Sequence, residues 1–240
     1  RFQLVLCLRW ILLLLNRVAR RLSKLAVRRG VLRVFICFVL AWTGPLLAWD
    51  APKILAKAQK MSTATSTRAQ ALLGEIAEVS DQDDEIRLKA INSFFNRRIL
   101  YRDDQETWGQ VDYWSSPLEL MAKGQGDCED YAIAKYFSLI ASGVSGAKMR
   151  LVYVRAQLGA AVQAHMVLAY YATPNAEPLI LDNLITDIRP AGRRPDLVPV
   201  FSFSAEGLWQ GVGTTSAGDP AARLSRWRDV LVKVKAEGWW

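Results

Sequence analysis

Outside its first 48 residues this 240-residue chain has one cysteine, Cys128, in the run GDCEDYAIAKYF. The only histidine, His165, follows thirty-seven residues later in AHMVLAYY, and Asp182 stands in PLILDN after that. A thiol becomes a nucleophile when it loses its proton; a helix N-terminus lowers its pKa and an imidazole can take the proton up. A carboxylate on a neighbouring strand would fix the imidazole's tautomer and orientation. Each residue also has a plainer reading, as a buried inert thiol, a satisfied histidine or a turn aspartate. Taken together at the ends of elements, the three favour cysteine chemistry, with Cys128, His165 and Asp182 as the catalytic candidates.

The neighbours of Cys128 complicate this reading. Asp127, Glu129 and Asp130 surround the thiol with negative charge, which opposes a thiolate. Two accounts stay open on residue chemistry alone. Asp127 at N-cap and Asp130 at N3 would make a capping-box-like pair, with Glu129 complementing the helix dipole, worth roughly 0.5–2 kcal/mol. Alternatively, Asp127, Glu129 and Asp130 would hold a calcium ion, whose charge reverses the local electrostatics. A structural zinc site needs three or four close nitrogen or sulfur ligands, and one Cys with one His does not supply them.

The surrounding pattern predicts the elements that must position these groups. Residues 50–73 read as a helical lead-in with a Ser/Thr-rich interruption at 62–67, and 83–98 as a helix with apolar residues on one face. The acidic, aromatic run DDQETWGQVDYW at 103–114 reads as a loop. Ser116 caps a short helix with Pro117 at its first position, which Gly124 and Gly126 end. A helix then runs from Cys128 to Gly143, with Ala132, Ile133, Tyr136, Phe137 and Ile140 on its buried face. Residues 149–156, 165–172 and 178–183 have strand character, with His165 opening the second. The chain past Pro190 looks loop-rich, with a last helix over 224–235. One nucleophile-bearing helix followed by strands without parallel crossovers predicts an α+β fold packed on an antiparallel sheet.

Charge divides the chain at about residue 48. The net charge is +8, but nine Lys or Arg and no acid precede Asp50, which leaves 22 basic against 23 acidic residues afterwards. That near-neutral part offers no footprint for a nucleic-acid backbone. Residues 17–33 form a positive region and 34–48 an apolar run ending in Ala48, the anatomy of a secretory signal cleaved after that residue. A membrane anchor is the alternative, although the run is short and Gly44-Pro45 interrupts it. The expected division is therefore 1–48 as a basic leader and 49–240 as one domain. Cys7 and Cys37 fall in the leader, so the domain has no partner with which Cys128 could form an internal disulfide.

The segments DYWSSPLELMAKGQGDCEDYAIAKY, AHMVLAYY and PLILDNL, in this order and spacing, resemble the bacterial transglutaminase-like cysteine proteinases. The similarity extends upstream to AINSFFNRRILY and downstream to RRPDLVPVFSFSAEGLW, about residues 86–209. Ser204 departs from the family pattern, in which an Asn is expected. The resemblance implies a papain/transglutaminase-like fold with Cys128 as nucleophile, His165 as general base and Asp182 as its orienting partner. It also implies Ca2+ bound by Asp127 and Glu129, with Asp130 as a further ligand. By the same resemblance the protein would be a periplasmic endopeptidase that clips the N-terminal region of a large surface adhesin at a di-alanine site. It would then release biofilm under the control of an inner-membrane receptor for cyclic di-GMP. Acyl transfer to an amine, as in a transglutaminase, and a non-catalytic calcium-ordered binding module are the alternatives.

Overall fold

The computed structural model describes residues 49–240, which form one compact unit; the predicted leader lies outside the described residues. The first three helices are α1 (Ala51–Met61), α2 (Thr63–Val79) and α3 (Asp84–Arg98). The Ser/Thr-rich stretch expected to interrupt the first helix instead starts the second. Ser62 alone is extended, and its hydroxyl accepts the Thr65 amide at 3.0 Å, so α2 is capped at once and runs on to Val79.

Next come β1 (Leu100–Tyr101), α4 (Asp104–Trp108), α5 (Pro117–Lys123), β2 (Gln125–Gly126) and α6 (Cys128–Ala141). The acidic aromatic run expected as a loop contains α4, which Asp103 caps through the Glu106 amide and Gly109 ends at φ 67°. At α5 the predicted cap is present as a full capping box between Ser116 and Glu119. The two-residue strands β1 and β2 pair in parallel, and they tie the end of α3 to the residues just before Cys128.

The remainder is a seven-stranded antiparallel sheet in the order β6-β5-β4-β3-β7-β8-β9. Its strands are β3 (Met149–Leu158), β4 (Ala161–Tyr170), β5 (Leu179–Leu181), β6 (Arg189–Pro190), β7 (Leu197–Phe203), β8 (Leu208–Gln210) and β9 (Ser216–Gly218). The region past Pro190 thus adds three strands to the sheet, where the sequence suggested loop. The chain closes with α7 (Pro220–Arg223) and α8 (Ser225–Glu237).

Alternation along the strands divides the core in two. Leu151, Met166, Leu168, Leu181 and Phe203 face the helices, whereas Val152, Val154, Val167, Ala169 and Ile180 make a smaller cluster on the opposite face. Helix α6 is buried over nearly its whole circumference. Phe137 stacks on Trp227 of α8 at 5.8 Å between ring centroids, and Phe203 of β7 meets the same indole edge-on at 5.2 Å. Trp227 is fully buried where helix α6, helix α8 and the sheet meet. Replacing it by Ala is expected to cost about 3–5 kcal/mol, read as a lower denaturant midpoint. A loss below about 1 kcal/mol would show that this aromatic cluster does not hold α6 against the sheet.

Candidate active site

The candidate nucleophile is placed by two backbone devices. Gly124 closes α5 in the left-handed region at φ 69°, and the next residues pair with the end of α3, where the Arg102 amide donates to the Gly126 carbonyl at 2.9 Å. Helix α6 then begins at Cys128. Gly126 has no room for a side chain, because a Cβ there would run into the Asp130 carboxylate and Leu120. Its place in the GDCED motif therefore follows from packing against one of the acids.

Those acids do not cap the helix. Asp127 occupies the N-cap position but makes no side-chain capping bond, and Asp130 Oδ1 accepts the Ser115 amide at 2.8 Å. The capping account of the motif is thereby overturned. The carboxylates gather with two others from the preceding segment. Oxygens of Asp104, Asp127 and Asp130 lie within 4.8 Å of one another, as do those of Asp104, Asp112 and Glu129. Asp104 Oδ1, Asp127 Oδ1 and Asp130 Oδ2 are buried without a hydrogen-bond partner.

Electrostatics follow from that crowding. Burial, then the charges of Glu129, Asp130 and Asp104, push Asp127 far above the carboxylate range. Asp130 rises to about 7 and Asp104 to about 6, in each case through burial outweighing a backbone amide that works the other way. Buried carboxylate oxygens that repel one another and lack donors suit a hard divalent cation, and an all-oxygen donor set favours calcium or magnesium over zinc. Asp104 and Asp112 were not singled out in the sequence, although the acidic density of DDQETWGQVD was a signal for them.

The thiol itself sits in an unfavourable field. Sγ donates to Glu129 Oε2 at 2.9 Å. Burial, the Glu129 charge and hydrogen bond, and Asp127 all raise the Cys128 pKa well above that of a free thiol, while the Met166 backbone N–H lowers it. Met166 follows His165 directly, so the sulfur lies against the stretch of β4 that carries the imidazole.

His165 sits inside β4, whereas the sequence pattern put it at the strand's start. The four residues before it are exposed and the six from His165 onward are buried, so the imidazole stands where the strand enters the core. Asp182 follows β5, the neighbouring strand, in register with Leu168 through Leu181. His165 Nε2 and Asp182 Oδ1 are 2.8 Å apart and both side chains are buried. The same oxygen accepts the Asn183 and Leu184 amides at 2.7 and 3.1 Å. Arg194 Nη2 donates to Oδ2 at 2.7 Å. Burial alone would raise the Asp182 pKa, but the His165 hydrogen bond and charge, with Arg194 and the Leu184 amide, outweigh it and bring it down to about 2. An ionised Asp182 makes Nε2 the donor in this pair, which leaves Nδ1 as the ring nitrogen not engaged by Asp182.

The carbonyl of Asp182 is held from behind, by Asn96 Nδ2 at 2.8 Å and by the fully buried Lys135 Nζ at 3.0 Å. Lys135 also donates to Asn96 Oδ1 at 2.8 Å, and burial, only partly offset by the Asp182 charge, lowers its pKa to about 7. Arg194, Asn96 and Lys135 had not been identified from sequence. Lys135 was the findable one, as the single charged residue among the apolar positions of α6 after Asp130.

A cysteine at a helix N-terminus, backed by an antiparallel sheet that carries a buried His–Asp pair, is the framework of the transglutaminase-like cysteine proteinases. The profile described as "Bacterial transglutaminase-like cysteine proteinase BTLCP" matches residues 61–196, more than half of the chain, and the chain belongs to that family. Among solved structures, LapG of Legionella pneumophila is 41% identical over 77% of this chain and 97% of that one, with a TM-score of 0.67. Its EGTA-treated form gives 41% identity, the same coverages and a TM-score of 0.69. Its calcium-bound form gives 40% identity over 77% and 99%, with a TM-score of 0.67. No curated protein matches the chain.

The depressed Asp182 pKa fixes a sign. A carboxylate whose folded pKa lies at about 2 rather than 3.8 contributes stability above that ordinary value and loses it as pH falls toward 2. The stability gap between the protein and its Asp182→Asn variant is expected to narrow by about 2 kcal/mol between about pH 5 and pH 2. A gap independent of pH, measured by denaturant titration, would contradict the buried ion pair.

Proposed function

We propose that the protein is a calcium-dependent cysteine endopeptidase in which Cys128 is the nucleophile, His165 the general base and Asp182 its orienting partner. The observation that carries this reading is the buried His165–Asp182 pair at 2.8 Å, on the strand whose Met166 amide meets the Cys128 sulfur. Family membership supports the same assignment.

The Asp182 carboxylate holds the Nε2 proton, so Nδ1 of His165 takes the thiol proton and Sγ attacks the substrate carbonyl. The Cys128 backbone N–H, at the N-terminus of α6, supports the oxyanion, and a second donor is assigned to the 108–114 segment. In that segment Trp114 Nε1 is engaged by Asp112 Oδ1 at 2.9 Å, whereas Trp108 Nε1 is buried without a partner. His165 then returns the proton to the leaving amine, and water hydrolyses the thioester with the imidazole again as base.

Asp127, Glu129 and Asp130, joined by Asp104, would hold the calcium. When bound, calcium supplies positive charge against the carboxylates that oppose the Cys128 thiolate. LapG of Legionella pneumophila has been solved with calcium bound, and the three orphaned oxygens here fit the same kind of ion.

The substrate would be the N-terminal region of a large surface adhesin, cut at a di-alanine site, with an inner-membrane cyclic-di-GMP receptor as the controlling partner; the family resemblance supports this. Export to the periplasm rests on the basic and apolar leader. Among the described residues no helix is long and apolar enough to cross a membrane.

The Cys128→Ala variant is expected to fold with unchanged secondary structure and to lose cleavage altogether, scored on adhesin N-terminal fragments. Chelation should abolish cleavage by the unaltered protein, calcium should restore it, and Asp127→Ala should remove that response. Cleavage that persists in Cys128→Ala ends the nucleophile assignment, and cleavage unchanged in excess chelator ends the calcium assignment.

A further inference from the structure

The partner that sets the plane of the Asp182 carboxylate comes from outside the three residues assigned to the chemistry. We propose that Arg194 is a positioning residue of this site: its guanidinium holds Asp182 Oδ2 and thereby presents Oδ1 to His165. The proposal rests on the catalytic reading given above.

Both side chains are shut away from water, with 1% of Arg194 and 0% of Asp182 exposed. Asp196 holds the guanidinium in turn, through Nε at 3.0 and 3.2 Å and Nη2 at 2.7 Å. The loop carrying them is pinned by its backbone. The Arg194 amide donates to the Ala191 carbonyl at 2.9 Å, and the Gln157 amide of β3 donates to the Asp196 carbonyl at 2.8 Å. Nη2 alone bridges the two carboxylates, and Nε adds the second arm of a fork on Asp196 that a lysine ammonium has no second nitrogen to supply.

Stability alone gives little reason for this arrangement. A buried guanidinium is costly to desolvate, Nη1 has no hydrogen-bond partner, and replacing the whole ion pair by apolar side chains is often neutral or stabilising. The charges suggest what is gained. Arg194 is shared between Asp182 and Asp196, so Asp182 is not fully neutralised by it and can stabilise positive charge on His165 when the imidazole accepts the thiol proton. Without Arg194 the buried Asp182 Oδ2 would lose its donor and face the half-buried Asp196 carboxylate. Asp182 would then take up a proton or rotate, and either change loosens the bond that makes Nε2 a donor and Nδ1 a base.

Because the chain has a single histidine, its hydrogen-bonded imidazole N–H gives one downfield proton resonance that can be followed without assignment. In the full chain with calcium, Arg194→Gln is expected to broaden or abolish that resonance. It should also slow iodoacetamide alkylation of Cys128, read by mass spectrometry, by about ten- to a hundredfold. Arg194→Lys should recover part of the rate. The Arg194→Gln/Asp182→Asn double variant should be no slower than Asp182→Asn alone, because the arginine acts through that carboxylate. Thermal unfolding checks that each variant is folded. Should Arg194→Gln fail to fold, Asp196→Asn, which loosens the fork without removing it, is expected to reduce the resonance and the rate in the same direction. A folded Arg194→Gln with unchanged resonance and rate, or a double variant whose losses multiply, overturns the proposal. His165→Ala separates the two levels. If it leaves alkylation unchanged, the catalytic reading falls and the proposal with it. If it slows alkylation while Arg194→Gln does not, the proposal alone falls.

Discussion

The site depends on uncompensated negative charge at the N-terminus of α6. Asp104, Asp127 and Asp130 each leave a carboxylate oxygen buried and unpaired, and Glu129 holds the thiol proton. A helix N-terminus ordinarily lowers a thiol pKa. Here burial and the carboxylates overcome that preference, and the Cys128 thiol is pushed up. The local structure conforms to this cluster. Gly126 is needed beside Asp130, the Ser115 amide is spent on the same residue, and α4 brings Asp104 in from the far side of α5.

The opposite half of the site is built the other way, with its charges almost fully paired. Asp182 takes four donors on its carboxylate and two on its carbonyl, from β4, α3, α6, the two residues that follow Asp182 and the segment after β6. Helix α6 contributes to both halves, Cys128 at its first residue and Lys135 two turns later. Cys128 and the backbone of Asp182 are therefore tied to one helix, whose packing through Phe137 and Trp227 bears on the geometry of the proposed site as well as on stability.

What was readable in the sequence divides along physical lines. The Ser116 cap of α5, the start of α6 and the period-two runs of β3 and β4 were legible, because caps and periodicity are local. The extent of α2 was hidden by Ser62 to Thr67, which read as a break although one serine sufficed to end a helix and cap the next. Strands β8 and β9 were missed because they have three residues each, and β7, at seven residues, because Val198 and Val200 are exposed where burial was expected. In the site, Cys128, His165 and Asp182 stood out by rarity and position. Asp104, Asp112, Asn96 and Arg194 did not, since a surface aspartate and one meeting a buried cluster look alike until the chain folds. The capping account of Asp127 and Asp130 failed for a related reason. It required only the sequence spacing, and the Ser115 amide, fifteen residues away from Asp130, claims the oxygen that spacing had assigned to the helix.

The two halves together define what any activation of the site must supply. In the proposed reaction, proton transfer from Cys128 to His165 would move positive charge toward the Asp182 carboxylate and leave a thiolate among carboxylates that repel it. The first change is favoured by groups already present in the chain. The second is opposed by every ionised neighbour of the sulfur, so the barrier to forming the ion pair lies on the α6 side. Positive charge delivered to Asp104, Asp127, Glu129 and Asp130 acts on that side alone. On the proposed reading, the acids flanking the cysteine would control whether the thiol ionises, while the His165–Asp182 pair is already formed.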